Sequence, residues 1–235
     1  MPYGKGIEYP YDLTEVVETT AIRLGEICPA IQSGAVVFSR SPLIGPKGDD
    51  YGAGLPGRIE VIENSLVYIP SSQIGLRALS TSSYLFIRAL QVAGATGIVL
   101  YMPAAALSDN LPAIVAIKDH IDMLAHPPHV GVEPAAWEEQ FFPMNEAYEL
   151  DTALQALKRT GLPEASGVLL GVGIGQFDTP AGRAAASRMG AQLISVHIFT
   201  ECLIAKRAGL NVIGFAETAG VDPETIGGLI SAALK

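Results

Sequence analysis

Residues 167–215 read GVLLGVGIGQFDTPAGRAAASRMGAQLISVHIFTECLIAKRAGLNVIGF, and this stretch decides the fold. Short apolar runs alternate in it with helix-forming segments. The pattern predicts strands over 167–173, 193–196 and 211–215, separated by helices over 179–189 and 200–208. Strands that alternate with helices form a mainly parallel sheet covered by helices. The stretch therefore predicts an α/β fold.

The rest of the chain extends this pattern. Helical spacing of apolar residues predicts further helices over 14–27, 80–93, 145–159 and 223–234. Short apolar runs predict further strands over 35–38, 59–62, 65–69, 97–102 and 114–117, the second and third of them as a hairpin. Long loops are predicted over 41–57 and from the end of the 114–117 strand through Pro128. Because no repeat or sharp boundary interrupts the chain, we expect a single domain over residues 1–235.

Composition narrows the class of partner. Apolar residues make up 49% of the 235 residues and charged residues 17%, below the ~25% of average domains. A chain this apolar folds, and it is expected to bury some of its surface in an oligomer. Its net charge of −9 argues against a nucleic-acid binder, which needs a basic face. We expect a small-molecule partner instead.

Signals for cofactors, metals and membranes are weak. Cys28 and Cys202 are too few for a disulfide framework or a zinc site, and we expect buried thiols in a reducing compartment. The glycines at 171, 173 and 175 lack dinucleotide-binding spacing, and His126 and His129 lack further ligands. We see no signal peptide and no apolar run of the ~20 residues that a membrane helix needs. The expectation is a soluble, cytoplasmic protein without cofactor or metal.

Polar residues that follow predicted strands are the candidates for a site, because ligands of open α/β sheets bind beyond the carboxyl ends of strands. His197 follows the strand at 193–196 and is equally compatible with acid–base chemistry and with capping the next helix. Asp178 follows the strand at 167–173, beside Phe177, and either Asp178 or Thr179 could be a helix N-cap. Glu217 follows the last strand. His197, Asp178 and Glu217 are therefore predicted to share one crevice.

A second histidine, His120, follows the predicted strand at 114–117. It is a titratable site group or, with equal reason, a histidine that is hydrogen-bonded for structure.

Three stretches resemble a known family. Residues 117–122 read IKDHID, residues 142–149 read FPMNEAYE, and residues 173–215 include GQFDT and MGAQLISVHIFTEC. They are similar to IRDHIN, FPxMSDAYD, GPxFET and LGADAVGMSTVPEV of the trimeric, low-molecular-mass purine nucleoside phosphorylases and their methylthioadenosine phosphorylase relatives. The resemblance implies a three-layer α/β/α domain with a mixed, partly barrel-like sheet, assembled as a homotrimer or homohexamer.

The resemblance also implies roles for single residues. Phe177 stacks on the base and Asp178 stands for the base-reading glutamate, while Val196 and His197 replace the family's methionine and serine. Glu201 matches the family's glutamate at a helix start. Further implied substrate contacts are Arg40 and Ser41 in the phosphate loop, Met102 after a strand, and Trp137 or Phe141 reaching a neighbouring subunit's pocket.

Departures from the family's motifs shape the functional expectation. The glycine-rich phosphate loop is replaced by Ser39-Arg40-Ser41, and the base-reading asparagine by Gly220. Binding a phosphate dianion takes backbone N–H groups and an arginine clamp. The first hypothesis is therefore an enzyme acting on the glycosidic or related bond of a nucleoside-like molecule without the usual phosphate site. The second is a member that has lost this chemistry and serves as a recruited biosynthetic enzyme, a ligand-binding protein or an oligomer partner.

Overall fold

The computed structural model describes residues 13–27, 36–39, 57–62, 65–70, 76–123, 143–173, 175–196 and 199–235. The helices in these ranges are α1 (Leu13–Ile27), α2 (Leu76–Val92), α3 (Leu150–Arg159), α4 (Pro180–Arg188), α5 (Phe199–Arg207) and α6 (Pro223–Ala233). The strands are β1 (Val36–Ser39), β2 (Gly57–Ile62), β3 (Ser65–Pro70), β4 (Gly97–Pro103), β5 (Ala105–Ala106), β6 (Ile114–Asp122), β7 (Ser166–Gly171), β8 (Leu193–Ser195) and β9 (Asn211–Glu217).

These strands form a mixed sheet in the order β2-β3-β1-β4-β9-β6-β7-β8-β5. Two groups of parallel strands lie side by side: β1, β3, β4 and β9 run one way, and β6, β7 and β8 run the other. They meet at the antiparallel pair β6–β9. The hairpin between β2 and β3 is present as predicted. The second half of the chain is thus less uniformly parallel than its alternation suggested, because β9 pairs with β4 and β6 rather than with β8.

The sheet curls until its far edge returns to β4. Strand β5 follows β4 after one residue and pairs with β8 at the opposite edge. The continuous segment β4–β5 therefore connects the two ends of the curled part of the sheet. A circuit across neighbouring strands passes through Ile114, Glu217, Pro103, Ser195 and Gly171 and returns to β6 at Asp122. A displacement along the strand after one circuit is the stagger of a closed barrel. The predicted mixed, partly barrel-like sheet is confirmed.

Helices cover both faces of the sheet. Alternate residues of each strand point to opposite faces, so Leu100 and Met102 enter one core cluster while Val99 and Tyr101 enter another. The first cluster holds buried residues of α1, α2 and α5, and the second holds those of α3 and α6. A third, smaller cluster joins β7 and β8 to Ala186 of α4. This is the three-layer α/β/α arrangement that the resemblance implied.

Two boundaries differ from the prediction by five residues, in each case because of a contact that is distant in sequence. Strand β6 runs on to Asp122 through the polar residues 118–120, because its ladder with β7 resumes after an irregularity between Ile117 and Asp119. Helix α3 begins at Leu150 rather than at residue 145. The backbone N–H of Glu149 donates to the Val212 carbonyl of β9 at 2.7 Å, which ties the preceding segment to the sheet. None of the helices in the described part of the chain is long and apolar enough to cross a bilayer.

Candidate functional site

The carboxyl ends of β4, β7, β8 and β9 meet where the sheet closes. The Ser195 hydroxyl at the end of β8 donates to the Pro103 carbonyl at 2.9 Å. The next backbone N–H along, that of Ala104, donates to the Glu217 carbonyl of β9 at 2.8 Å. The Val172 N–H after β7 donates to the Ser195 carbonyl at 3.0 Å. Chain segments that leave these strands therefore begin at one place.

Phe177 and Val196 belong to the same apolar cluster at this place. Both side chains are half-buried and pack against the cluster that contains Leu170, Val172 and Ile194. Phe177 follows β7 and Val196 follows β8, so two strand ends contribute one apolar wall. An aromatic ring in such a wall suits a planar ligand.

Asp178 stands beside this wall with its carboxylate exposed. The sequence left open whether Asp178 or Thr179 caps α4, and the structure assigns that role to Thr179, whose hydroxyl accepts the Gly182 N–H at 3.1 Å. Asp178 is therefore not needed as the N-cap of α4. An exposed carboxylate next to an aromatic side chain can accept a hydrogen bond from a ring N–H.

Arg183 is a site neighbour that the sequence did not single out. It lies on α4 and its guanidinium donates to the Ala106 carbonyl of β5. The bond ties the helix that follows Asp178 to the strand that closes the sheet. The arginine stands in a run of small residues, 181–187, and this local pattern does not indicate its role, because its hydrogen-bond partner is distant in sequence.

Glu217 lies in the fold rather than in an open crevice. Its side chain is buried, and its two carboxylate oxygens accept from the Tyr101 hydroxyl at 3.0 Å and from the Val221 N–H at 3.2 Å. Burial and the neighbouring carboxylate raise the pKa of Tyr101 well above its usual value. Glu217 therefore holds β4 and the segment before α6 together, and its role as a substrate contact stays a prediction.

Met102 and Glu201 are also core residues here. Met102 is fully buried in the cluster beneath α2 and α5. Glu201 is fully buried as well, and its Oε1 accepts the Ser83 hydroxyl of α2 at 2.8 Å. The position of Glu201 in the first turn of α5, which packs on α2, turns its carboxyl inward. The structure gives both residues packing or hydrogen-bonding roles, and their contact with substrate stays a prediction.

His120 has a structural partner that the sequence did not reveal. Its Nδ1 lies 3.0 Å from the Tyr148 hydroxyl, and the two rings pack edge to face with centroids 5.7 Å apart. Burial lowers the pKa of His120, against the opposing influence of Asp119 and Asp122. Burial also raises the pKa of the nearby Cys202 thiol to about 12, so this thiol is protonated at neutral pH. Of the two interpretations of His120, the structure favours the structural one.

Four predicted site residues lie outside the described residues: Arg40, Ser41, Trp137 and His197. The same holds for Phe141, His126 and His129. Within the ranges that are described, no three His, Cys, Asp or Glu side chains lie close enough to hold a metal ion.

A curled mixed sheet with helices on both faces is the fold of nucleoside phosphorylase-like α/β proteins. Comparison with solved structures gives the same class. A purine nucleoside phosphorylase in complex with ribose 1-phosphate superposes with a TM-score of 0.74 over 93% of this chain and 95% of its own, at 17% identity. The Schistosoma mansoni enzyme in complex with acetate gives 0.73 over the same shares, at 18% identity.

Sequence comparison leads to the same family. The purine nucleoside phosphorylase of Mycobacterium tuberculosis is 32% identical over 131 residues, which are 54% of this chain and 46% of that protein. Purine nucleoside phosphorylase 1 of Bacillus subtilis is 24% identical over 135 residues, 55% of this chain and 50% of the relative. The chain thus matches these curated relatives over about half their length. No protein-family model matches the sequence. The chain is purine nucleoside phosphorylase-like in sequence and fold, which confirms the resemblance.

Proposed function

We propose that the protein is an enzyme that binds a nucleoside-like small molecule at the wall formed by Phe177 and Val196 and acts on its glycosidic or related bond. The observation that carries the proposal is the exposed carboxylate of Asp178 beside that wall, with Thr179 serving as the helix cap in its place. The likeness to purine nucleoside phosphorylases supports the class of ligand.

The chemistry follows from how such a bond breaks. Negative charge builds on the departing base while the sugar gains cationic character. Asp178 holds the base or supplies a proton to it, Phe177 stacks on it, and His197 serves as an acid–base group or sugar contact. A positioned proton donor of this kind contributes roughly 10²–10⁴-fold to a rate.

We also propose that the reaction runs without the usual phosphate site. Ser39-Arg40-Ser41 stands where the family has a glycine-rich phosphate loop, and the chain carries a net charge of −9. A phosphate dianion loses its hydration on binding and needs several N–H donors in compensation. The sequence supplies few candidates for that role, which favours a different nucleophile.

A second candidate function has its own support. Gly220, which stands for the family's base-reading asparagine, is exposed and carries no side chain for a base. Glu217, Glu201 and Met102 are committed to internal contacts. A member that has lost glycosyl transfer, and works in another biosynthetic reaction or as a ligand-binding or oligomer partner, fits those features.

The two proposals are separated by measuring base release from inosine and other purine nucleosides, with and without phosphate. We expect release that persists when phosphate is omitted. Asp178→Asn should lower kcat/KM by about 100-fold or more, because the proton donor is lost. Asp151→Asn, an exposed aspartate in the first turn of α3, is the matched control and should leave the rate unchanged.

Three other results would contradict parts of the proposed function. Absence of base release, together with no thermal shift by any nucleoside, would support the second candidate. A rate that depends strictly on phosphate would overturn the proposed loss of the phosphate site. A rate insensitive to Asp178→Asn would remove Asp178 from the mechanism.

A further inference from the structure

The backbone of Phe177 is strained. Its φ is 60°, in the left-handed region, and among the described residues it is the one non-glycine with a positive φ. A bulky side chain avoids this region because its Cβ crowds the backbone. Such a conformation persists when the surrounding structure enforces it, and it recurs at ligand-binding sites.

Gly182 in the first turn of α4 makes room for this backbone. A Cβ at Gly182 would lie 2.8 Å from the Phe177 Cα and 3.1 Å from the Phe177 carbonyl carbon. Both are backbone atoms, so no rotation of a side chain could relieve the clash. The Gly182 N–H also donates to the Thr179 hydroxyl, so the same residue completes the helix cap.

The segment before Phe177 is held just as locally. The Gln176 side chain accepts the Gly173 N–H at 2.8 Å, and the Gln176 N–H donates to the Gly173 carbonyl at 3.1 Å. These hydrogen bonds and Gly175, whose φ is 81°, therefore place the Phe177 backbone against α4. The Phe177 ring packs against the apolar cluster of Leu170, Val172 and Ile194, and Val196 packs against the same cluster.

We propose that Gly182 is a positioning residue for the ligand site: by admitting the Phe177 backbone against α4, it sets where the Phe177 ring meets a planar ligand. This inference rests on the proposed function for the ligand, while the packing of Phe177 against the apolar cluster of Leu170, Val172 and Ile194 can be observed without one. Gly182 acts through Phe177 and does not itself contact the ligand.

The test is Gly182→Ala, followed first in the ligand-free protein by the NMR shifts of the Val196 methyl groups. An aromatic ring shifts the resonances of methyl groups near it. Phe177 and Val196 pack against the same apolar cluster, so displacement of Phe177 should move the Val196 signals. Gly228→Ala is the matched control, since Gly228 is an exposed helical glycine on α6 with open space around a Cβ, and it should leave those signals in place. Unchanged Val196 shifts in Gly182→Ala would overturn the proposal.

Ligand affinity supplies the second readout, with inosine and hypoxanthine as probes. We expect Gly182→Ala and Phe177→Ala each to weaken binding about tenfold, with a larger effect on KM than on kcat. In the double variant the losses should not add, because Gly182 acts through the ring that Phe177→Ala has already removed. Additive losses would show that Gly182 acts elsewhere and would contradict the proposal.

The experiment also covers a wild-type protein that binds no probe and a Gly182→Ala variant that does not fold. If wild-type protein binds neither probe, the proposed function fails, while the Val196 shifts still decide whether Gly182 positions Phe177. If Gly182→Ala does not fold, Thr179→Val removes the acceptor of the Gly182 N–H without adding a Cβ at 182, and Thr179→Ser retains it. The proposal then requires the Val196 signals to move in Thr179→Val and to stay in Thr179→Ser, and any other pattern overturns it.

Discussion

His120 and Tyr148 form a pair in which each ring fixes the other. The Tyr148 hydroxyl lies 3.0 Å from Nδ1 of His120, and burial raises the pKa of Tyr148 well above its usual range. Tyr148 therefore keeps its proton, and its hydroxyl can donate to a neutral imidazole but not to a protonated one. The bond depends on the charge of His120.

This dependence predicts a loss of stability in mild acid. Burial lowers the pKa of His120 in the fold below its value of 6.5 in the unfolded chain. The unfolded state then binds the proton more readily, so stability is fully present above about pH 6.5 and falls as pH drops below it. His120→Gln keeps an acceptor for Tyr148 but does not titrate, and it should flatten this part of the pH dependence.

Urea unfolding midpoints of the two proteins, compared at about pH 5.5 and pH 7.5, check the prediction. Asp119 and Asp122 raise the pKa of His120 and so oppose the effect of burial. Identical pH profiles for wild type and His120→Gln would mean that these carboxylates cancel it.

The two buried glutamates show that the position of an acidic residue in the sequence does not reveal whether its side chain points into the core. Glu217 and Glu201 each stand where a substrate contact was expected, one at a strand end and one at a helix start. Their partners, Tyr101 and Ser83, are 116 and 118 residues away along the chain. Whether a carboxyl turns inward depends on such distant partners, which local pattern does not contain. Thr179, by contrast, was recognisable as a candidate cap because its partner is three residues away.

Ser83 and Glu201 join two helices, since Ser83 lies on α2 and Glu201 in the first turn of α5. We expect Ser83→Ala to lower the free energy of unfolding by about 1–3 kcal/mol, because it removes a hydrogen bond from a buried carboxyl. Urea unfolding measures the loss. Ser187→Ala, an exposed serine on α4, serves as control and should change stability by about 0.5 kcal/mol or less. Equal effects of the two substitutions would mean that the Ser83 bond contributes nothing.

Helices and strands with a clear apolar periodicity were predictable from the sequence. Strand segments that depend on hydrogen bonds to a distant strand were not. The buried runs of β4, β7 and β9 and the amphipathic α3 show their periodicity in the sequence. The structure contains the three strands with small shifts at the ends, and α3 with a start five residues later than predicted. The outer half of β6 was missed because Lys118, Asp119 and His120 resemble a loop. Its strand geometry comes from the ladder with β7, whose residues lie about fifty positions later.

The curl of the sheet belongs to the molecule as a whole. Chain order alone does not reveal that β9 inserts between β4 and β6, or that β5 closes onto β8. These pairings reverse the strand direction within the sheet and still bring the ends of β7, β8 and β9 together. The sequence argument assumed a simpler sheet than the real one, and the family resemblance supplied the barrel-like closure, while the shared crevice of His197, Asp178 and Glu217 stays a prediction.

The resemblance predicts that a complete site depends on assembly. The resemblance implies a trimer, and a subunit that donates Trp137 or Phe141 to its neighbour's pocket would give a head-to-tail, three-fold contact. We expect light scattering on the purified protein to give a mass of three times 24.6 kDa, or six times for a dimer of trimers. A mass of 24.6 kDa at micromolar concentration would contradict the trimer.

Subunit mixing tests whether the site is shared. In a head-to-tail trimer, Asp178 of one subunit would work with Trp137 of the next, so Asp178→Asn and Trp137→Ala proteins should each be nearly inactive alone. When the two variants are unfolded together in equal amounts and refolded, about a quarter of the sites combine a wild-type Asp178 with a wild-type Trp137 from the neighbour. Base release should then rise to about a quarter of the wild-type rate, because intact sites form from two defective chains. Refolding each variant alone is the control. A mixture no more active than the mean of its parents would mean that each site is built from one chain, and Trp137 would lose its proposed role.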